Sequence, residues 1–190
     1  MKNNYNKYNS YPAVQISNRQ WPNKIITKAP TWCSVDLRDG NQALVEPMDS
    51  IRKMRMFKQL VNMGFKEIEI GFPSASDTDF NFVRELIIEG HIPDDVTVQV
   101  LTQSREPLII KTIESLKGCE NAIIHLYNST STLQREVVFK ETMEGVKKIA
   151  TDGAKIIADH LCQLVSSNIR LQYSPESFTG TELPYALEVC

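Results

Sequence analysis

Five polar stretches, each following an apolar run, hold the residues whose chemistry is worth asking about. Arg38-Asp39-Gly40-Asn41-Gln42 sets a guanidinium beside a carboxylate. Phe72-Pro73-Ser74 with Ser76, and Thr102-Gln103 with Arg105, add hydroxyls, an amide and a second guanidinium. His125 precedes Asn128-Ser129-Thr130, and Ser174 precedes Glu176. Glu69 lies between Ile68 and Ile70, where a carboxylate is expensive to bury without a partner. Arg38 is the natural partner. The set supplies a hard oxygen ligand, a guanidinium able to steady a developing oxyanion, an imidazole, and several hydroxyls and amides. That combination suits a small oxo-acid held on an oxygen-coordinated divalent ion. Taken singly, each residue has a plainer explanation. Arg38 and Asp39 could be a surface ion pair, His125 a satisfied core histidine, and Ser174-Pro175-Glu176 an ordinary turn. His91 and His160 fall by a helix end and within a helix, and no chemistry is assigned to them.

The elements that must position these residues alternate along the chain. Strands are expected over 31–37, 66–72, 96–102, 121–127 and 169–173. Helical spacing is expected over 49–63, 77–89, 106–116 and about 132–164, the last in one or two pieces. A further helix begins at Thr181, taken as its cap, with Glu182 in the first turn. Alternating strands and helices imply parallel pairing with right-handed crossovers. An open doubly wound sheet and a closed barrel both satisfy that pattern. Side chains two apart share a strand face. One face carries Glu67 and Glu69, Thr97 and Gln99, His125 and Tyr127, Gln172 and Ser174. The opposite face carries Ile68 and Ile70, Val98 and Val100, Ile124 and Leu126, Leu171 and Tyr173. A doubly wound sheet covers both faces with helices and wants both apolar. One polar face fits a barrel with helices outside, and the polar residues past the strand ends then share its C-terminal rim.

Composition narrows the function classes. The 190 residues carry 21 Lys+Arg against 23 Asp+Glu, a formal charge of −2, so no basic field argues for nucleic acid. No run approaches the roughly 20 apolar residues of a membrane-spanning helix. Residues 1–30 are rich in Asn, Tyr, Lys and Pro and read as an arm, with no apolar core of a secretory signal. The four cysteines are widely spaced and form no C-x-x-C pair, which reads as reduced thiols and an expected cytoplasmic location. Neither G-x-G-x-x-G, G-x-x-x-x-G-K-[ST] nor G-x-S-x-G occurs.

The stretch Trp32-Cys33-Ser34-Val35-Asp36-Leu37-Arg38-Asp39-Gly40-Asn41-Gln42 resembles the first-strand signature of the 2-isopropylmalate synthase family. That family belongs to the metal-dependent barrel superfamily of Claisen-type condensing enzymes and lyases. The resemblance continues through Gly64-Phe65-Lys66-Glu67-Ile68-Glu69-Ile70-Gly71-Phe72-Pro73-Ser74-Ala75-Ser76, His125-Leu126-Tyr127-Asn128-Ser129-Thr130 and Tyr173-Ser174-Pro175-Glu176-Ser177-Phe178-Thr179-Gly180-Thr181-Glu182. It implies an α/β fold, a (β/α)8 TIM barrel. About the first five units would be present over 31–190, an incomplete barrel after the arm. It implies an acyltransferase that condenses acetyl-CoA with 2-oxoisovalerate in leucine synthesis. It places Asp39 as a metal ligand, with Mg2+ first and Mn2+ or Zn2+ as alternatives. Arg38 would bind the keto-acid and steady the enolate or alkoxide, and Glu69 would hold that arginine. His125, Ser174 and Glu176 would line the 2-oxoisovalerate pocket, with Glu176 also among the catalytic residues. A homodimer of the full-length protein is what the family suggests. The family's His-x-His metal pair is absent from these residues, as are its late strands and catalytic base. The chain therefore reads as an N-terminal part that is inactive alone. Homocitrate or citramalate synthase, an acyl-CoA lyase, and a non-catalytic half-barrel are the rival readings.

Overall fold

The computed structural model describes Ser17 and residues 28–164 and 168–190. The arm expected over residues 1–30 lies almost wholly outside the described residues. β1 (Cys33–Ser34), β2 (Glu67–Gly71), β3 (Thr97–Gln103), β4 (Asn121–Ser129) and β5 (Asn168–Glu176) form one sheet in the order β1-β2-β3-β4-β5. Every neighbouring pair is parallel. Helices α1 (Ser50–Met63), α2 (Asp77–Ile88), α3 (Glu106–Ser115) and α4 (Met143–His160) fill the connections, and α5 (Leu183–Val189) follows β5. Strand order that follows chain order without reversal excludes the doubly wound arrangement, whose order turns back at a switch point. The sheet is part of a (β/α) barrel. Its curl is visible in one contact: Arg170 on β5 ion-pairs with Glu67 on β2, past two intervening strands.

The two strand faces divide as their alternation requires. Ile68, Ile70, Val98, Val100, Ile124 and Leu126 are buried under the helices, against Phe57 and Leu60 of α1, Phe82 and Leu86 of α2, Ile109 and Ile113 of α3, and Ile157 of α4. Glu69, Gln99 and His125 occupy the other face and are buried too. The outer face is covered less completely at β5, where Leu171 is 45% exposed. Helix ends follow local chemistry. The Asp49 side chain accepts from the Arg52 N–H at 2.8 Å and caps α1, and Gly64, at φ 93°, turns the chain out of that helix. Ser76 caps α2 and Thr142 caps α4.

Two expectations are corrected. The first strand does not run from Thr31 to Leu37. It stops after Ser34, and residues Asp36–Gly40 form a single π-helical turn, with the Asp39 and Gly40 N–H groups both donating to the Val35 carbonyl. The turn sinks Leu37 into the core and leaves Val35 exposed. Single π-turns of this kind occur often at functional sites. Thr181 does not cap the last helix. Glu182 stands at the cap position, and Thr181 is buried with its hydroxyl 2.8 Å from that of Thr130. The long helical stretch after β4 does divide in two: a π-helical turn over Gln134–Phe139, then α4.

Gly153 shows where close packing overrides propensity. It lies inside α4, where alanine is ordinarily better by about 1 kcal/mol. A Cβ there would sit 2.1 Å from Ser104 Oγ and 3.3 Å from Leu126 Cδ2. Ser104 is itself held in place, its hydroxyl donating to the Ile149 carbonyl at 2.6 Å. Gly153→Ala is therefore expected to destabilise by roughly 1–3 kcal/mol, as overpacking does, measured as a shift of the urea midpoint at unchanged slope.

Candidate active site

Parallel pairing brings the C-terminal ends of β2 to β5 to one rim, and the π-turn after β1 lifts Arg38 and Asp39 to the same level. Glu69 sits at the centre with its carboxylate wholly buried. One oxygen accepts from Arg38 Nε. The other accepts from Gln99 Nε2 and lies 3.0 Å from His125 Nδ1. With Nδ1–H directed at the carboxylate, His125 Nε2 accepts from the Ser174 hydroxyl at 2.7 Å. Burial would raise the Glu69 pKa, but the hydrogen bonds from His125 and Arg38 and the arginine's charge outweigh it, so the carboxyl stays below its usual range. Arg38 also donates through Nη1 to Asp39 at 2.9 Å. A guanidinium has five N–H donors, so donors remain on a side chain that lines the cavity above.

That cavity is about 280 Å³ and is lined by Arg38, Asp39, Gln42, Phe72, Leu101, His125, Tyr127, Ser174 and Glu176. Of the residues singled out from the sequence, Arg38, Asp39, Gln42, Phe72, His125, Ser174 and Glu176 meet here, with Glu69 bonded to the arginine; Asn41, Ser74, Ser76, Thr102, Gln103, Asn128, Ser129 and Thr130 are not part of the lining. Arg105 does not belong to this lining; it stands outside as the exposed residue before α3. Tyr127 is held neutral: burial, then the nearby Glu176 charge, push its phenol upward. Cys33 is pushed up to about 11 by burial and by the charges of Glu69 and Glu67, so it is a thiol at neutral pH and no nucleophile. His91 pairs with Glu89, and His160 Nδ1 donates to the Ile156 carbonyl, both away from the rim.

Sequence reasoning saw Gln99 on the polar face and gave it no task. Its register opposite Glu69, with Leu101 opposite His125, is what makes it the third donor to the carboxylate. Metal ligation is a different matter. Among the described residues no three His, Cys, Asp or Glu side chains converge on a common point. Asp39 offers one carboxylate, 66% exposed and bonded to Arg38. Hard divalent ions take about six oxygen ligands, so the described residues do not by themselves make a metal site.

A parallel barrel segment whose strand ends gather an arginine, carboxylates, an imidazole and hydroxyls around a small cavity has close counterparts. The chain belongs to the HMGL-like family, whose model matches residues 29–190. Within that class it is similar to the 2-isopropylmalate synthase of Parafrankia sp. (strain EAN1pec), 62% identical over 185 residues, which cover 97% of this chain and 33% of the relative. The 2-isopropylmalate synthase of Clostridium acetobutylicum is 60% identical over 188 residues, 98% of this chain and 34% of its own length. That of Mesorhizobium japonicum is 61% identical over 184 residues. The chain thus spans about a third of the length of the curated relatives it matches, and corresponds to the N-terminal part of their catalytic domain.

The rim is braced from the side. Arg135, after β4, is buried with its guanidinium 4.9 Å from the Tyr185 ring. It grips both carboxylate oxygens of Glu182, after β5, at 3.0 and 2.7 Å. The Arg135 hydrogen bonds hold the Glu182 carboxyl down at about 2, against an ordinary value of 4.5. Because the folded value is the lower one, the pair contributes stability above about pH 4.5, and that contribution is lost as pH falls from 4.5 towards 2. Glu182→Gln is expected to be less stable than the parent at neutral pH, the gap closing across that window. Urea midpoints for both proteins at several pH values check it.

Proposed function

We propose that the protein carrying this chain is a 2-isopropylmalate synthase. Residues 31–190 form the N-terminal portion of its catalytic barrel. The observation that carries the reading is identity of about 60% over nearly the whole chain to proteins of that name. The position of Arg38, held by buried Glu69 at the mouth of a small cavity, supports it. The reaction is acetyl-CoA plus 2-oxoisovalerate plus water to 2-isopropylmalate plus CoA. A proton leaves the acetyl methyl group, the resulting enolate carbon attacks the keto carbon, and the thioester is hydrolysed.

The residues gathered at the cavity divide the work of that scheme. Arg38 directs its remaining N–H groups at the keto-acid and balances the negative charge that grows on oxygen during attack. Glu69 fixes the guanidinium through one oxygen and His125 through the other, so the site is set before substrate arrives. Ser174 and His125 form a hydrogen-bonded pair on the pocket wall that orients the acid, with Leu101 and Phe72 as its apolar side. Glu176 places a second carboxylate at the cavity. Asp39 would offer one oxygen to a divalent ion, Mg2+ first with Mn2+ or Zn2+ as alternatives, and the described residues do not complete that site. A cytoplasmic location and a homodimer of the complete enzyme belong to the same proposal. Among the described residues, no helix is long and apolar enough to cross a membrane.

The test follows CoA release with a thiol reagent in the presence of acetyl-CoA, 2-oxoisovalerate and Mg2+. In an enzyme of the relatives' length, Arg38→Ala is expected to lower kcat/KM by at least about 100-fold, the scale of losing an oxyanion donor, with circular dichroism unchanged. Normal activity would remove Arg38 from its role. The 190-residue chain alone is expected to give no turnover in the same assay.

A further inference from the structure

Lys53, on the outer helix α1, has no exposed surface. Its ammonium pairs with Asp79 of α2 and lies 5.4 Å from the centroid of the Phe82 ring. A buried ion pair is a poor choice for stability alone, since well-packed apolar residues of similar size often serve as well or better. What this pair provides is a fixed acceptor. Asp79 binds Lys53 through one oxygen, and the other accepts the Phe72 backbone N–H at 2.7 Å. The preceding backbone is pressed against the same group: a Cβ on Gly71 would sit 2.8 Å from Asp79 Oδ2.

Phe72 is the first residue past β2, and it lines both the site cavity and an adjoining cleft of about 940 Å³. Its ring meets Tyr127 edge-on, centroids 6.2 Å apart. The backbone N–H of Phe72 is thus tied to a carboxylate that a buried lysine immobilises. We propose that Lys53 and Asp79 are positioning residues for the substrate pocket: the pair locks the end of β2 and thereby sets the Phe72 ring as the wall against which the apolar part of the substrate packs. The identity of that substrate rests on the function proposed above; the positioning itself does not.

Two measurements test it. In the 190-residue chain, amide hydrogen exchange at Phe72 is compared across variants. K53M/D79L removes both charges and the acceptor, whereas K53M/D79N removes the charges and keeps an acceptor oxygen. Exchange at Phe72 should quicken at least tenfold in K53M/D79L, with the β2 amides before it still protected, and stay near the parent rate in K53M/D79N. In the enzyme of the relatives' length, K53M/D79L should raise KM for 2-oxoisovalerate roughly tenfold while kcat stays within about threefold, and K53M/D79N should restore KM. If K53M/D79L does not fold, Asp79→Glu keeps the charges and displaces the carboxylate by one methylene, and should move Phe72 exchange and KM in the same directions. Unchanged Phe72 exchange, or a variant that lowers only the melting temperature and leaves KM alone, would overturn the proposal. An unmodified enzyme that fails to turn over acetyl-CoA and 2-oxoisovalerate would defeat the function reading instead, and the exchange measurement would still decide the positioning.

Discussion

A carboxylate shut away from water has to be satisfied from within, and in this protein that demand, made by Glu69, organises the site. Three donors answer it, from three different segments: Arg38 from the turn after β1, Gln99 from β3 and His125 from β4. None could reach it unless the strands were parallel and in their observed register. An unpartnered carboxylate at this depth would cost several kcal/mol or take up a proton. The same bonds that meet this electrostatic need fix the guanidinium and the imidazole in place, so stability and preorganisation have a common cause here.

The rest of the sheet repeats the division on a larger scale. Apolar side chains point outward to α1, α2, α3 and α4, while Glu67, Glu69, Gln99, His125 and Ser174 point inward and pair with one another or with Arg38 and Arg170. Glu67 and Arg170 close the lower end of the lumen across β3 and β4, Glu69 and its donors fill the middle, and His125 with Ser174 opens onto the cavity. Charge on the concave face is tolerable because the curl of the sheet brings Glu67 and Arg170 within reach of each other.

Much of this was legible in the sequence because it depends on period. Alternation in Glu67–Gly71 and Thr97–Gln103 separates an inner from an outer face, and helical spacing with Asp49, Ser76 and Gly64 marks helix ends. Arg38 could be matched to Glu69 because a buried carboxylate has few candidate partners. The illegible parts depend on contacts between distant segments. Nothing in Thr31–Leu37 says that the strand stops after Ser34, since the π-turn is fixed by Leu37 entering the core and Arg38 reaching β2. Thr181 looks like a cap by type, but Thr130 claims its hydroxyl. Lys53 falls on an amphipathic helix where a lysine is expected in solvent, and only the approach of Asp79 from α2 turns it inward.

Strand order identical to chain order has a consequence for how the protein is made. Each new strand pairs with the one synthesised just before it. Each closure spans one helix-bearing crossover, as in Glu67 pairing with Thr97 and Asn121 with Asn168, rather than the whole chain. The sheet can accordingly be built one unit at a time while translation proceeds from the N-terminal end, with Glu69 gaining its Gln99 and His125 donors in the order in which β3 and β4 leave the ribosome.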